Sequence, residues 1–547
     1  MNLIKKYFSL IMNKVLLLGV VVVCGIILTC MSSATPYVSS SFLDDLLSQM
    51  STSVLYWYAL IYAGLCIGQI IINYIITIVK SILNCQFSQL IIQKVLFHLS
   101  QVPTSFYFGK DISSLAQKIY GDSQSIASFI VETVAQIINN IAMVFISSYL
   151  IIKIHPLIFL VILCGFTVYI ILYLLIKKVL YISSYDQKES VLSYFSYIFE
   201  QLQNNRFIKL FNFYDYFDKQ LQHSFGNLQC TTIRSQKVAY TFSGTTTFIT
   251  TVSRAVLLII GGFLLLKDQI SVGNFTALLS YFTLMSNSIN YFLSFGQSYI
   301  LVKVSDTRLQ EILDYPIEGK SDDTVFEEKI RTIQLVNVGL KFDNKCVLQG
   351  LSYKFETGKI YGFCGINGSG KSTTANILCG LYNDLYTGEI FINENYIMSK
   401  VNAQWFRNNK ITYAMQDPLI IKNSIFENIT LGCSTNVSKE YIEKLVRGFR
   451  LFEPDNVSGR TLSYQYMIDD LGKNISGGEL QKIQLIRCLL RNTDVYVFDE
   501  PTNSLDEESK KFLINRLLIL RNHSIVILVT HDEGLKSICD DVIEFEV

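Results

Sequence analysis

The sequence predicts a two-part chain: an all-α six-helix transmembrane bundle followed by an α/β domain. Three observations carry that prediction. Six apolar runs, each close to the roughly 20 residues a helix needs to cross a bilayer, fill the first half. A stretch with Pro316, Gly319 and a set of acids (Glu318, Asp322, Asp323, Glu327, Glu328) then breaks the pattern, and beyond it short strand-like runs alternate with helical ones. Composition agrees, since half of the 547 residues are hydrophobic and only 17% are charged. A chain of this length also exceeds a single ordinary core.

The apolar runs lie near 14–34, 54–79, 130–152, 156–176, 241–266 and 274–295. Lys5 and Lys6 ahead of the first run also fit a cleaved signal peptide, but that run is long and further spans follow at once. Tight turns at Lys153-Ile154-His155 and Lys267-Asp268-Gln269 separate the third span from the fourth and the fifth from the sixth. Orientation follows from the Lys/Arg bias. Thr35 to Ser53 has no basic residue but holds Asp44 and Asp45. By contrast, 80–129 holds Lys80, Lys94, Lys110 and Lys118, and 177–240 holds eight basic residues. Both long stretches and both termini are therefore expected on the cytoplasmic side. Apolar spacing over Lys110 to Phe129 suits an amphipathic helix, either a force-carrying extension of a span or an ordinary packed helix. The expected domains are 1–310 for the transmembrane part, 311–330 for a solvated linker and 331–547 for the α/β part.

The net charge of +1, with no dense basic stripe, argues against a nucleic-acid partner. The twelve cysteines form no C-x-x-C pair and no zinc spacing, so they read as free thiols used as small apolar residues.

Chemistry is concentrated after residue 331. Gly365-Ile-Asn-Gly-Ser-Gly-Lys-Ser372 fits the phosphate-loop pattern, with a strand-like run at Lys359–Cys364 before it and a helical run at Thr373–Leu381 after it. Gly365, Gly368 and Gly370, with Asn367, Ser369 and Thr373, let backbone N–H groups close round phosphate oxygens at a helix N-terminus. Lys371 is expected to neutralise the β- and γ-phosphates and Ser372 to hold Mg²⁺. Downstream, the apolar run Val495–Phe498 ends in Asp499-Glu500, a Walker B pattern. Asp499 is expected at the Mg²⁺, and Glu500 as the general base that polarises the attacking water. His531 follows the run Ile525–Val529, where a strand's C-terminal end faces a ligand crevice; a structural role is the ordinary alternative.

Asn474-Ile-Ser-Gly-Gly-Glu-Leu-Gln481 resembles the signature motif of ABC ATPases, with Ile475 and Glu479 in place of the usual Leu and Gln. Ser504-Leu-Asp506 resembles the family's D-loop, Gln416 its Q-loop glutamine, which also reaches the metal, and His531 its switch histidine. Phe342 stands where an aromatic ring stacks on adenine. With six spans ahead of it, the whole chain resembles an exporter-type half-transporter, an α/β P-loop ATPase with a helical subdomain fused to a membrane bundle. That resemblance implies ATP and Mg²⁺ as cofactors. It also implies a dimer in which Ser476, Gly477, Gly478 and Glu479 of one chain face the ATP held by the other. Complete motifs favour an identical chain as partner. Both sites are expected to hydrolyse ATP, and 80–129 and 177–240 resemble the loops that couple closure to the helices.

The implied activity is ATP-driven movement of an amphipathic cargo (peptide, lipid-like compound or drug) out of the cell by alternating access, at a bacterial inner or plasma membrane. With no peptidase domain ahead of the first span, leader trimming is not expected. A gated channel on the same fold, or a soluble P-loop enzyme with a single anchor, are the other classes; six spans with a consistent charge bias speak against the anchor. Arg254, in the middle of the fifth span, either lines a cargo cavity and favours anionic groups, or snorkels to water or neighbouring carbonyls.

Overall fold

The computed structural model describes residues 7, 15–48, 52–318, 324–342, 345–433, 437–453, 462–469 and 472–545. Lys5, Lys6, Gly319, Asp322 and Asp323, named above, lie outside the described residues. The chain divides into two compact units, one of residues 1–100 and 109–315, the other of residues 101–108 and 316–547.

The first unit is built from α1 (Val15–Leu47), α2 (Thr52–Leu99), α3 (Ile112–Ile154), α4 (Pro156–Gln203), the short α5 (Asn205–Phe211), α6 (Tyr214–Leu266) and α7 (Val272–Leu313). Each predicted span falls within one of these helices, except that the first begins one residue outside the described part. Among the described residues α1, α2, α3 and α6 are long and apolar enough to cross a membrane. The spans expected at 156–176 and 274–295 lie in α4 and α7. Polar positions such as Thr276, Ser280, Ser286 and Asn290 run along α7 and dilute its apolar content.

The helices outlast their apolar runs. Nearly all of 80–129 and 177–240 is helical, interrupted by Ser100–Asp111, which contains a single 3-10 turn at Thr104–Tyr107, and by the corners around Asn204 and Asn212. Local chemistry places these breaks. Asp111 accepts from Ser113 N (3.0 Å) and Ser114 N (3.2 Å) and so caps the start of α3. Asn212 takes the left-handed conformation (φ 56°) that ends α5. Pro156 sits in the first turn of α4, where its missing N–H costs nothing. Asp44 accepts from the Ser271 hydroxyl (2.7 Å) and Gly273 N (2.8 Å), tying the end of α1 to the start of α7.

A buried ion cluster joins α3, α4 and α7. Arg308 Nε lies 3.1 Å from Asp122 Oδ2 and its guanidinium 3.3 Å from Glu189, while Lys188 Nζ lies 3.8 Å from Asp122 Oδ1. Lys188 also donates to the Ser305 hydroxyl at 2.8 Å.

The second unit contains two sheets. One is antiparallel, in the order β2 (Lys345–Glu356), β1 (Thr332–Phe342), β4 (Thr387–Ile392), β5 (Tyr396–Ile397). The other is parallel, in the order β6 (Ile411–Ala414), β7 (Val495–Asp499), β8 (Ile525–Val529), β3 (Ile360–Gly365), β9 (Asp541–Phe545). Strands that alternate with helices imply a largely parallel sheet, and it is thus one of two. Along β7, Val495 and Val497 belong to one buried cluster and Tyr496 and Phe498 to the other; β8 alternates in the same way. Burial on both faces is why these strands read as continuous apolar runs. Each fully buried Val, Ile or Phe contributes about 1.5–3 kcal/mol relative to exposure.

The predicted linker is more structured than its acidity suggests. Helix α7 runs to Leu313, Phe326 and Ile330 are buried, Glu318 pairs with Arg407, and Lys410 donates to the Glu328 carbonyl at 2.7 Å. A basic residue reaches into the stretch at each end, so less of it is solvated.

Candidate nucleotide site

A cavity of about 490 Å³ opens beside the C-terminal ends of β3 and β7, a size suited to a small ligand. The phosphate-loop residues Asn367, Gly368, Gly370, Lys371, Ser372 and Thr373 line it. Phe342, Gln416, Asp499 and Glu500 complete it, so residues far apart in sequence meet at one place. Cys346, Val347 and Val529 also line it and were not singled out from sequence, because apolar residues of that kind carry no chemical signal.

Backbone geometry explains the glycines. Gly365 has φ 139°, and a Cβ there would stand 2.4 Å from the Phe545 carbonyl oxygen. Gly370 has φ 99°, with Val347 O at 2.9 Å from such an atom. Any L side chain at either position is strained and obstructed. Gly370 also precedes α8 (Lys371–Leu378), whose first N–H groups have no partners within the helix. Lys371, 7% exposed, donates to the carbonyls of Gly365 (2.7 Å) and Ile366 (2.8 Å). It therefore carries its charge without a salt bridge among the described residues.

Asp499 ends β7 and is 3% exposed. Its Oδ2 accepts from the Tyr413 hydroxyl at 3.2 Å, and its Oδ1 is buried without a hydrogen-bond partner among the described residues. The Ser369 hydroxyl is likewise buried without a hydrogen-bond partner among the described residues. Burial pushes the Asp499 carboxyl above the usual carboxylate range, against the pull of Ser372, Tyr413 and Lys371. A hard divalent cation takes oxygen donors of this kind, and the set Ser372, Gln416 and Asp499 fits Mg²⁺.

Glu500 follows in a left-handed backbone conformation, φ 49°, uncommon for a residue with a side chain. Burial raises its carboxyl as well, and His531, with Nε2 at 3.7 Å from Oε1, pulls it back. Two hydrogen bonds hold the strained peptide. Glu500 N donates to Val529 O (2.8 Å), and Gln481 Nε2 donates to Glu500 O (2.9 Å). Gln481 also accepts from Ser504 N at 3.0 Å. Three positions further along its helix, Gln484 donates to Met415 O (2.8 Å), next to Gln416. Both glutamines are buried on α12 (Gly477–Leu490), which follows α9 (Ala403–Asn409), α10 (Ile425–Thr430) and α11 (Lys439–Gly448). Their only sequence signal was two amides one turn apart inside an apolar helix.

Neither Ser476, Gly477, Gly478 nor Glu479 lines the cavity. Together they start α12. Ser476 Oγ accepts from Glu479 N (3.3 Å), while Glu479 Oε2 accepts from Ser476 N and from its hydroxyl, both at 2.8 Å. This is a capping box, and it gives Glu479 a partner within its own helix. A Cβ on Gly478 would stand 2.6 Å from Ser504 O, which explains that glycine by packing. Asp506 caps α13 (Glu507–Arg521) by accepting from Ser509 N (2.9 Å) and pairs with Lys482 at 2.5 Å. Phe342 meets Phe108 and Tyr382 edge-on, with ring centroids 5.4 and 5.8 Å away. Arg254 is exposed on α6, and the apolar groove found in the first unit, around Phe42, Tyr58 and Tyr62, does not include it.

Two family models match in tandem: the ABC transporter transmembrane region over residues 18–289 and the ABC transporter model over residues 348–503. The chain belongs to the ABC transporter family. As an ABC transporter with membrane and nucleotide-binding parts fused in one chain, it is a multi-pass membrane protein that binds ATP with Mg²⁺ and hydrolyses it to drive transport. The pediocin PA-1 transport/processing ATP-binding protein PedD of Pediococcus acidilactici is 26% identical over 98% of this chain and 74% of its own length. A lactococcin transport/processing ATP-binding protein, LcnC-like, of Lactococcus lactis is 23% identical over 96% of this chain and 73% of its own. For several other curated relatives the chain spans less than half of their length. A solved bacterial Atm1-family ABC exporter with ATP bound shares the fold, with a TM-score of 0.83 at 17% identity, covering 96% of this chain and 93% of that one.

Proposed function

We propose that this ABC transporter is a half-transporter that pairs with an identical chain, uses six membrane spans, and exports a peptide from the cytoplasmic side. The convergence of the phosphate loop with Asp499 and Glu500 on one cavity carries the ATPase part of this reading. The export of peptides is supported by the pediocin and lactococcin transport/processing relatives that match nearly the whole chain. A lipid-like compound or drug is the alternative cargo, since α6 and α7 carry Tyr, Phe, Ser and Thr that suit any amphipathic molecule.

In this reading the loop N–H groups and Lys371 bind the phosphates, and Phe342 stacks on adenine. Ser372, Gln416 and Asp499 hold Mg²⁺, which when bound neutralises charge on the β- and γ-phosphates. Glu500 takes the proton of the attacking water, and His531 orients it from the other side of the carboxylate. The αL backbone aims Glu500 into the cavity instead of back along the strand. Ser476 and Gly478 of the partner chain close over the γ-phosphate, and in doing so Ser476 exchanges its bond to Glu479 for one to phosphate. The stretches 80–129 and 177–240 transmit closure to the spans, with both termini cytoplasmic. Arg254 meets anionic groups of the cargo.

ATPase measurement in lipid nanodiscs, with panels of peptides, lipids and drugs, tests this. Stimulation by peptides and its loss in Glu500→Gln is the expected result. Stimulation only by lipids rejects the peptide cargo, and activity only after adding a different half-transporter rejects the identical-chain dimer.

A further inference from the structure

Asp499 presents two differently occupied oxygens: Oδ2 takes the Tyr413 hydroxyl at 3.2 Å, whereas Oδ1, although buried, has no hydrogen-bond partner among the described residues. Strand register brings Tyr413 there. β6 and β7 run parallel with Tyr413 opposite Val497, and Asp499 is two residues further along β7. Side chains two apart on a strand share a face, so Asp499 stands on the same face as Val497, the register partner of Tyr413. Tyr413 is therefore the residue on β6 whose polar tip meets the end of β7. Its ring packs at the margin of a buried cluster, which fixes where the hydroxyl arrives.

We infer that Tyr413 is a positioning residue for the divalent cation: by holding Oδ2 it sets the carboxylate plane so that Oδ1 is presented to Mg²⁺. This rests on the assignment of Asp499 to the metal made above. The torsion between a carboxylate and its chain is soft and has no sharp staggered wells, so an aspartate without a second bond samples a broad range of planes. A partner that fixes a metal-binding carboxylate contributes to affinity without touching the ion. The ordinary alternative is that Tyr413 is kept for its ring alone. Phenylalanine separates the two, because it keeps the ring and removes only the oxygen.

The experiment uses full-length protein in nanodiscs carrying Glu500→Gln, so that nucleotide persists, and titrates Mn²⁺ by electron paramagnetic resonance with ATP present. Tyr413→Phe is expected to weaken Mn²⁺ binding roughly three- to tenfold, as the loss of one hydrogen bond to a charged ligand predicts. Binding of a fluorescent ATP analogue in EDTA is expected to stay unchanged. Equal Mn²⁺ affinity in the two proteins overturns the role of Tyr413, as does an equal loss of metal-free nucleotide binding, which marks a packing defect. If Mn²⁺ fails to bind with ATP even when Tyr413 is present, or binds as well in Asp499→Asn, the assignment of Asp499 itself falls.

Discussion

In the helical unit, Arg308 and Lys188 converge on Asp122; in the nucleotide-binding unit, Lys371, Asp499 and Glu500 converge on a cavity. Both groups are largely withdrawn from water, but their wiring is opposite. The first set answers charge with charge across three helices. In the second set Lys371 leans on backbone carbonyls, and one oxygen of Asp499 has no hydrogen-bond partner among the described residues. Burying charge is costly unless it is paired, so the first arrangement holds helices in register, while the second keeps binding capacity in reserve for a ligand. Paired buried charge marks structure, and unpaired buried charge facing a cavity marks function.

Substitutions break or sharpen that contrast. Glu500→Gln is expected to lower ATP turnover about 100- to 10,000-fold, the range for removing a general base, with the thermal midpoint almost unchanged. A large drop in the midpoint would place Glu500 with the structural charges instead. Arg308→Ala should do the reverse. Removing one member of a buried pair costs about 3–5 kcal/mol, read as a lower midpoint of the helical unit, with metal-free ATP affinity intact. Adding Asp122→Ala should recover part of that loss; no recovery would mean the pair is not what matters.

Gln481→Ala tests the boundary between the two classes. It strands the Glu500 carbonyl and Ser504 N–H and should cost about 1–3 kcal/mol, seen as lower turnover without weaker ATP binding. The smallest effect is expected at Asp506. Burial alone would raise its carboxyl, but Lys482 and Ser509 outweigh it and hold the group at about 2 against an ordinary 3.8. Because the folded value is depressed, its contribution is complete above the ordinary value and is lost as pH falls through about 2. Asp506→Asn should therefore lower the midpoint slightly near neutrality and flatten its decline between pH 4 and 2; parallel declines would remove Asp506 from the acid response.

The same contrast explains what the sequence revealed. The nucleotide cavity was legible because a strand, a tight loop and a helix start are consecutive from Ile360 to Leu378, and each carries its own residue preferences. β7 and β8 announced themselves as unbroken apolar runs for the same local reason. The ion cluster was not legible, since Asp122, Lys188 and Arg308 are distant in sequence and each alone looks like a charge on a solvated helix face. Hydropathy located the apolar runs but not the helix ends, because caps such as Asp111, which starts α3, and Asn212, which ends α5, lie well outside the membrane-length apolar runs. The antiparallel sheet was missed because β1 and β2 are broken by register shifts that blur any alternation. Tyr413 and Gln481 act through neighbours on other elements, and no motif spacing encodes that.

Residues 101–108 belong to the nucleotide-binding unit although residues 109–315 of the other unit separate them from its remainder. There Thr104 donates to Leu381 O (2.6 Å), Ser105 to Asp384 (2.5 Å), and Phe108 covers the edges of Phe342 and Tyr382. No single cut of the chain therefore liberates that unit whole. A fragment beginning at Pro316 would bare two aromatic rings and an unmatched carbonyl at the very wall where adenine is proposed to stack. Its solubility and its apparent nucleotide affinity would both report the missing eight residues, and supplying 101–108 as a separate peptide should restore them.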